Sequence, residues 1–331
     1  MNKPVLPFRL RRAACSLLAG CLLAAPLAAG AKEEAWPSKP IRIIVAFAPG
    51  GLTDIIARTL QPQLSEAFGQ PVIIENRPAA GGTIAEGALA RSEPDGYTLL
   101  MTADGVPANP HLYKGLSYDM FRDLQPVSQL VRIPLALLVN PALPVKSVKE
   151  LVAFAAAAPG KYSYASPGAG TSNHLFFEVF KDMTRIDMVH APYKGGSPAM
   201  TDLVGGHVQA LLISGTLAAP QVQGGKVRAL AVTSSKRVES MPDVPTFAEA
   251  GYPEFNPHQW TGLFVPAGTR PDVVARIHAA FSKATRAPDV VARLKELSAE
   301  PIMTSPEEFK RNLKKDYDML GALIESKGIT R

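Results

Sequence analysis

The chain reads as an α/β protein with a mostly parallel sheet, shared between two domains. Short β-branched runs alternate with helix-like segments along its length, and glycine-rich turns join several of the runs to the helices that follow. Behind an N-terminal leader lie roughly 300 residues, more than one core usually serves. With 47% apolar residues, the chain can fill two cores.

Residues 41–47 form the first apolar run, closed by Pro49-Gly50-Gly51, and residues 54–68 then place Ile55, Ile56, Leu60, Leu64 and Phe68 on one helical face. The unit recurs: a strand at 72–74, the turn Ala79-Ala80-Gly81-Gly82, a helix at 84–91 and a strand at 97–101. A second cycle starts near Pro134, with a strand at 135–139 and a helix at 147–157. That helix opens on Ser147 with Glu150 three residues on, the pattern of a capping box. Alternation continues through 162–165, 168–181, 197–205, 210–214 and 227–233. A strand at 260–265 and helices at 271–284 and 306–326 complete the chain. The proline-rich stretch 241–257 reads as a connection between domains.

The leader has the layout of a signal peptide. Residues 1–12 carry Lys3, Arg9, Arg11 and Arg12 and no acid, and an apolar run over 13–31 ends in Ala29-Gly30-Ala31. Cleavage there removes both cysteines, Cys15 and Cys21, and so excludes disulfides and thiol catalysis in what remains. Leu18-Ala19-Gly20-Cys21 resembles a lipid-attachment box and leaves a lipoprotein open as the alternative. A membrane anchor is the other alternative, weakened by Pro26. Without the leader's four bases, 31 Lys and Arg face 29 acids, and no basic block points to nucleic acid.

Two glycine loops at helix starts are candidate anion sites. Pro49-Gly50-Gly51-Leu52-Thr53-Asp54 follows the first strand, and Gly168-Ala169-Gly170-Thr171-Ser172-Asn173-His174 repeats the design in the second half. Backbone N–H groups at a helix start favour a carboxylate. The plainer readings are tight turns, with Thr53 or Asp54 as a cap and His174 as a cap or hydrogen-bond donor. Tyr193-Lys194-Gly195-Gly196-Ser197 and Ser214-Gly215-Thr216 are two further loops with small donors. No G-x-S-x-G, HExxH or GxxxxGK[ST] motif is present, and the six histidines show no metal spacing, so neither an enzyme nor a metal or cofactor is expected.

In sequence order the motifs Phe47-Ala48-Pro49-Gly50-Gly51 with Asp54, Glu75-Asn76-Arg77-Pro78, Pro94-Asp95-Gly96-Tyr97, Asn109-Pro110, Ala165-Ser166 with Gly170-Thr171 and His174, Pro192-Tyr193-Lys194-Gly195 and Pro242-Asp243-Val244-Pro245-Thr246 resemble the Bug family of substrate-binding proteins, which serve tripartite tricarboxylate transporters. The resemblance implies a periplasmic binding protein of the Venus-flytrap, type II-like class: two α/β lobes joined by two crossovers, residues 32–133 plus 257–331 forming one and 134–256 the other. It implies a small carboxylate ligand (dicarboxylate, amino acid or aromatic acid), membrane transporter subunits as partners, a monomer and a periplasmic location. Phe47, Ala48, Gly50, Gly51, Thr53 and Asp54 would bind from one lobe, Ser166, Gly170, Thr171 and His174 from the other, with Ser214 and Thr216 beside them. Thr102 and Asp104 fall in a variable stretch. If Asp104 points inward, it favours a ligand with an amine or hydroxyl over a citrate-like one. Ala46 and Gln209 depart from the family's usual proline and aspartate. The competing readings are a receptor for a sensor kinase and an exported hydrolase using His174.

Overall fold

Four of the five side chains of β1 (Ile41–Val45) are fully buried, as a strand covered on both faces requires. In the computed structural model, which describes residues 36–330, this strand starts the first sheet; the leader and both cysteines lie outside the described residues. After β1 come α1 (Leu52–Phe68), β2 (Val72–Asn76), α2 (Thr83–Ala90), β3 (Thr98–Ala103), and the short α3 (Asn109–Leu112) and α4 (Met120–Asp123). The 16-residue β4 (Leu124–Val139) leads to α5 (Val148–Ala156), β5 (Ser163–Ser166), α6 (Ser172–Thr184), β6 (Val189–Pro192), α7 (Gly196–Val204), β7 (Ala210–Ser214), α8 (Gly215–Gln223) and β8 (Arg228–Val232). The chain ends with β9 (His258–Pro266), α9 (Pro271–Ala284), α10 (Pro288–Glu296), β10 (Glu300–Pro301) and α11 (Pro306–Lys327).

Strands reached through a crossover helix are parallel: β1 to β2 and β3, β5 to β6 and β7. The antiparallel partners are the strands that travel between the two halves. β4 pairs with β9 over Leu124–Pro134 and β10 at Val131–Arg132, then with β7 and β8 over Leu135–Val139. One long strand thus belongs to both sheets. Pro126 lies beside its first register shift, where a residue without an N–H is tolerated. Further on, Thr304 satisfies the irregular backbone, accepting from Gln129 N–H (2.9 Å) while its carbonyl accepts from Ser128 (2.8 Å).

Ser147 caps α5 by accepting from Glu150 N–H, as the sequence pattern predicts, and α9 spans the predicted residues. The first half of β4 and helices α8 and α10 do not follow from the sequence reading. Residues 124–134 carry two prolines and no clean alternation, and α8 begins on Gly215-Thr216, which reads as a turn. The stretch 241–257 forms neither helix nor strand, yet it buries Phe247 and Phe255 in the second core.

The first core gathers Ile44, Leu100, Trp260, Phe264 and Phe309. On one face of the second sheet lies the aromatic set Tyr164, Phe176, Phe177 and Phe180, and on the other Leu203, Leu211, Ile213 and Val232. α11 joins the two halves: Phe309 and Leu313 pack in the first core, Leu320, Leu323 and Ile324 in the second. Among the described residues no helix is long and apolar enough to cross a membrane.

Gly262 lets α11 close on β9. A Cβ there would stand 2.6 Å from Phe309 Cζ and 2.8 Å from Trp260 Cζ3, both ring atoms held in a packed core. Gly262→Ala is therefore expected to cost about 1–3 kcal/mol, read as a lowered thermal midpoint; an unchanged midpoint would show that the rings yield freely.

Candidate functional site

Four helix starts surround one cleft. Gly51 precedes α1, Thr171 α6, Gly195 α7 and Ser214 α8, and none of these caps makes a side-chain hydrogen bond to its helix. The first N–H groups of a helix have no intrahelical partner. The starts of α5 and α11, in contrast, are closed by Ser147 and Ser305. The cleft measures about 340 Å³, and Gly51, Thr171, Gly196 and Ser214 all line it. Its walls come from both sheets.

The first loop is shaped by a carboxylate beneath it. Asp54, 2% exposed, accepts from Gly50 N–H (2.9 Å), Asn76 Nδ2 (2.8 Å) and Arg58 Nε (3.0 Å), while Asn76 also donates to Phe47 O (3.0 Å). Burial pushes its pKa up, but the bonds from Arg58, Gly50 and Asn76 outweigh burial and hold it below the usual carboxylate range. Gly50 adopts φ +78°, which a side chain would resist. Phe47, Gly51 and Thr53 reach the cleft, whereas Asp54, Ala48 and Gly50 are not among its lining residues.

Behind the neighbouring turn at Gly81 and Gly82 lies Glu86, fully buried. It accepts from Tyr118 OH, Asn109 Nδ2 (3.1 Å) and Thr102 Oγ1 (3.4 Å), and Asn109 also donates to Gly81 O (3.3 Å). Thr102 is thereby turned into this network and away from the cleft lining. A Cβ on Gly82 would meet Glu86 Oε1 at 3.0 Å.

The second loop is held from below by a ring stack. Gly170 N–H donates to His174 Nδ1 (3.0 Å), which places the imidazole proton on Nε2, and the ring stacks on His190 at 3.7 Å. Burial lowers the His190 pKa to about 4. Ser166 Oγ lies 2.7 Å from His190 Nε2 and also engages Gly168. Thr171 Oγ1 donates to Gly168 O (2.7 Å). Gly170, Thr171 and Ser214 line the cleft; Ser166 and His174 shape the loop without lining it, and Thr216 bonds instead to the carbonyl of Leu297.

The floor holds residues that the sequence reading did not single out. Gln259 on β9 donates to Ser172 Oγ (3.1 Å) and Asn173 Oδ1 (3.2 Å), linking the first sheet to the start of α6, with Trp260 and Thr261 beside it. The 260–265 strand was visible in sequence, but its position against α6 is a long-range fact. Asp104 lies at the end of β3, 7% exposed and lining the cleft. Its Oδ2 has no hydrogen-bond partner. Burial raises its pKa to about 7, with a hydrogen bond to Ser172 opposing and the charge of Asp316 adding to the rise. Among the lining residues Asp104 is the only ionisable side chain, so an anion bound here meets backbone and neutral donors.

This architecture, two α/β lobes around a cleft of helix starts, is that of a periplasmic binding protein. The solved structure of the periplasmic binding protein BugD is 33% identical, covers 89% of this chain and 100% of its own, and superposes with a TM-score of 0.72. The chain belongs to the tripartite tricarboxylate transporter receptor family (TctC), whose pattern it matches over residues 56–329. Protein BugT of Bordetella pertussis is 35% identical over 306 residues, 92% of this chain and 94% of that one. R. palustris Rpa4515, solved with adipate, is 32% identical, with a TM-score of 0.76 over 89% of this chain and 100% of its own. MatC of Rhodopseudomonas palustris, solved with bound malate, is 32% identical, with a TM-score of 0.72 over 87% of this chain and 100% of its own.

Burial raises the pKa of Glu86 to about 7 from 4.5, against the bonds from Tyr118, Asn109 and Thr102. Folding then takes up a proton there. The resulting stability is complete below pH 4.5 and is lost as pH rises through about 7. Relative to Glu86→Gln, the wild type should lose about 3 kcal/mol across that window and then level off. Urea unfolding from pH 4 to 8 checks this; a gap that does not change with pH would mean that Glu86 stays ionised.

Proposed function

We propose that the protein is an extracytoplasmic solute receptor that captures a small carboxylate in the cleft and delivers it to a membrane transporter of the tripartite tricarboxylate type. The observation that carries this is the convergence of the starts of α1, α6, α7 and α8 on one cleft with no cation in its lining. A carboxylate placed at one such start gains about 0.3–1 kcal/mol, and up to about 2 where partly buried, besides its hydrogen bonds. Relatives solved with adipate and malate support a carboxylate as the ligand class.

In this reading the protein catalyses no reaction. Ser166 and His190 have the spacing of a nucleophile and base, but neither lines the cleft, and His174 is committed to Gly170 and to the stack. Export by the leader puts the protein in the periplasm as a monomer. The lobes are residues 32–133 plus 257–331 and residues 134–256, with α11 leaving the first to end on the core of the second. Closure is driven by ligand contacts made only when the two walls meet.

The test is a thermal-shift screen of the purified protein against dicarboxylates, amino acids and aromatic acids. A ligand at a hundred times its Kd adds about 2.7 kcal/mol of stability. Gly51→Val, whose Cβ would crowd Ala48 O at 3.1 Å, and Thr171→Val should lose that stabilisation while keeping the far-UV circular dichroism of the wild type. Unchanged binding by both variants, or turnover of a compound, would overturn the reading.

A further inference from the structure

Asp104 is an unusual group to find in a cleft built for an anion. It is the sole ionisable side chain lining the cleft, it is more than nine-tenths buried, and one of its carboxyl oxygens has no hydrogen-bond partner. Its contact with Ser172 runs from the end of β3 to the start of α6, from one wall to the other. A buried carboxyl with unused acceptor capacity is costly until a donor reaches it. A ligand carboxylate beside the ionised Asp104 meets a like charge, and no lysine, arginine or histidine lines the cleft to offset it.

The rest of the lining is largely apolar. Phe47, Leu52, Ile133, Ile213, Leu217 and Trp260 surround the space between the helix starts and Asp104. A cleft of about 340 Å³ walled in this way suits a hydrocarbon body between the helix starts and Asp104.

From this arrangement, and resting on the receptor reading above, we propose that Asp104 sets the ligand class: a monocarboxylate with an apolar body and a hydroxyl or ammonium group that donates to the Asp104 carboxyl. Dicarboxylates and tricarboxylates are excluded by the same side chain. The ligand carboxylate sits at the helix starts, the donor at Asp104 and the hydrocarbon against Phe47, Leu217 and Trp260. An approaching ammonium would favour the charged form of Asp104, against the burial that raises its pKa.

Calorimetric titration with two matched series tests this. With a phenyl body the probes are 3-phenyllactate, phenylalanine, 3-phenylpropionate and phenylsuccinate; with an isobutyl body they are 2-hydroxy-4-methylpentanoate, leucine, 4-methylpentanoate and isobutylsuccinate. In at least one series the hydroxy or amino acid should bind about tenfold or more tighter than both the plain acid and the diacid. Asp104→Asn should erase most of that advantage and admit the diacid, whereas Lys236→Ala, outside the cleft, should keep the ranking. The proposal is overturned if a diacid binds the wild type as tightly as the hydroxy acid, if no hydroxy or amino acid binds, or if folded Asp104→Asn keeps the wild-type ranking. The wild-type ranking decides the matter even if the variant does not fold. Diacid binding would leave the receptor reading standing, while equal binding of 2-phenylethanol and phenethylamine, which lack a carboxylate, would remove that reading itself.

Discussion

Backbone amides at the first turns of four helices face one volume, and most of the architecture serves to bring them there. Each helix follows a strand whose end lies at the cleft: β1 feeds α1, β5 feeds α6, β6 feeds α7 and β7 feeds α8. The two groups meet because β4 runs unbroken from one sheet into the other with β9 beside its first half, so both sheets share a spine. A site of this kind is fixed by chain geometry. In the proposed reading it would recognise a negative charge through backbone N–H groups, which every residue but proline carries, and leave selectivity to the few side chains between them.

Those side chains divide by depth. The lower tier, Asp54, Glu86 and His174, spends its hydrogen-bonding capacity on the loops themselves: Asp54 on Gly50 and Asn76, Glu86 on Asn109 and Thr102, His174 on Gly170. The upper tier faces the cleft with small donors and hydrocarbon, and Asp104 is its single acid. Donors already in place suit reversible capture, since they need no reorganisation when a ligand arrives. Behind the cleft, the bonds from Thr216 to Leu297 and from Lys295 to Glu239 (2.5 Å) tie the second half to the α10 region, and α11 spans both cores.

Much of the fold was legible because its signals are local. The β1 run, the Gly50-Gly51 turn, the Ser147 to Glu150 cap and the face of α9 each declare themselves within a few residues. The first half of β4 was not, because Pro126 and Pro134 interrupt a run that is a strand only through its pairing with β9. Helix α8 was hidden by Gly215 and Pro220, which argue for a turn until the helix is seen packed on β4 and β7. The glycine loops could be read as anion sites, yet which polar residues support a loop and which line the cleft depends on depth below the surface. Sequence does not carry that depth: Asp54 and Asp104 look alike in the chain, and only the fold buries one under a loop and sets the other in the wall.

The central claim is that an anion binds to the helix starts themselves. Amide proton and nitrogen chemical shifts, followed while a carboxylate that stabilises the protein is titrated in, test it most directly. The largest changes should fall at the first-turn amides of Leu52, Thr53, Ser172, Asn173, Ser197 and Thr216, all saturating with one dissociation constant. Changes concentrated instead around Lys236, Arg237 and Lys295, which line the separate pocket behind the lobes, would contradict it.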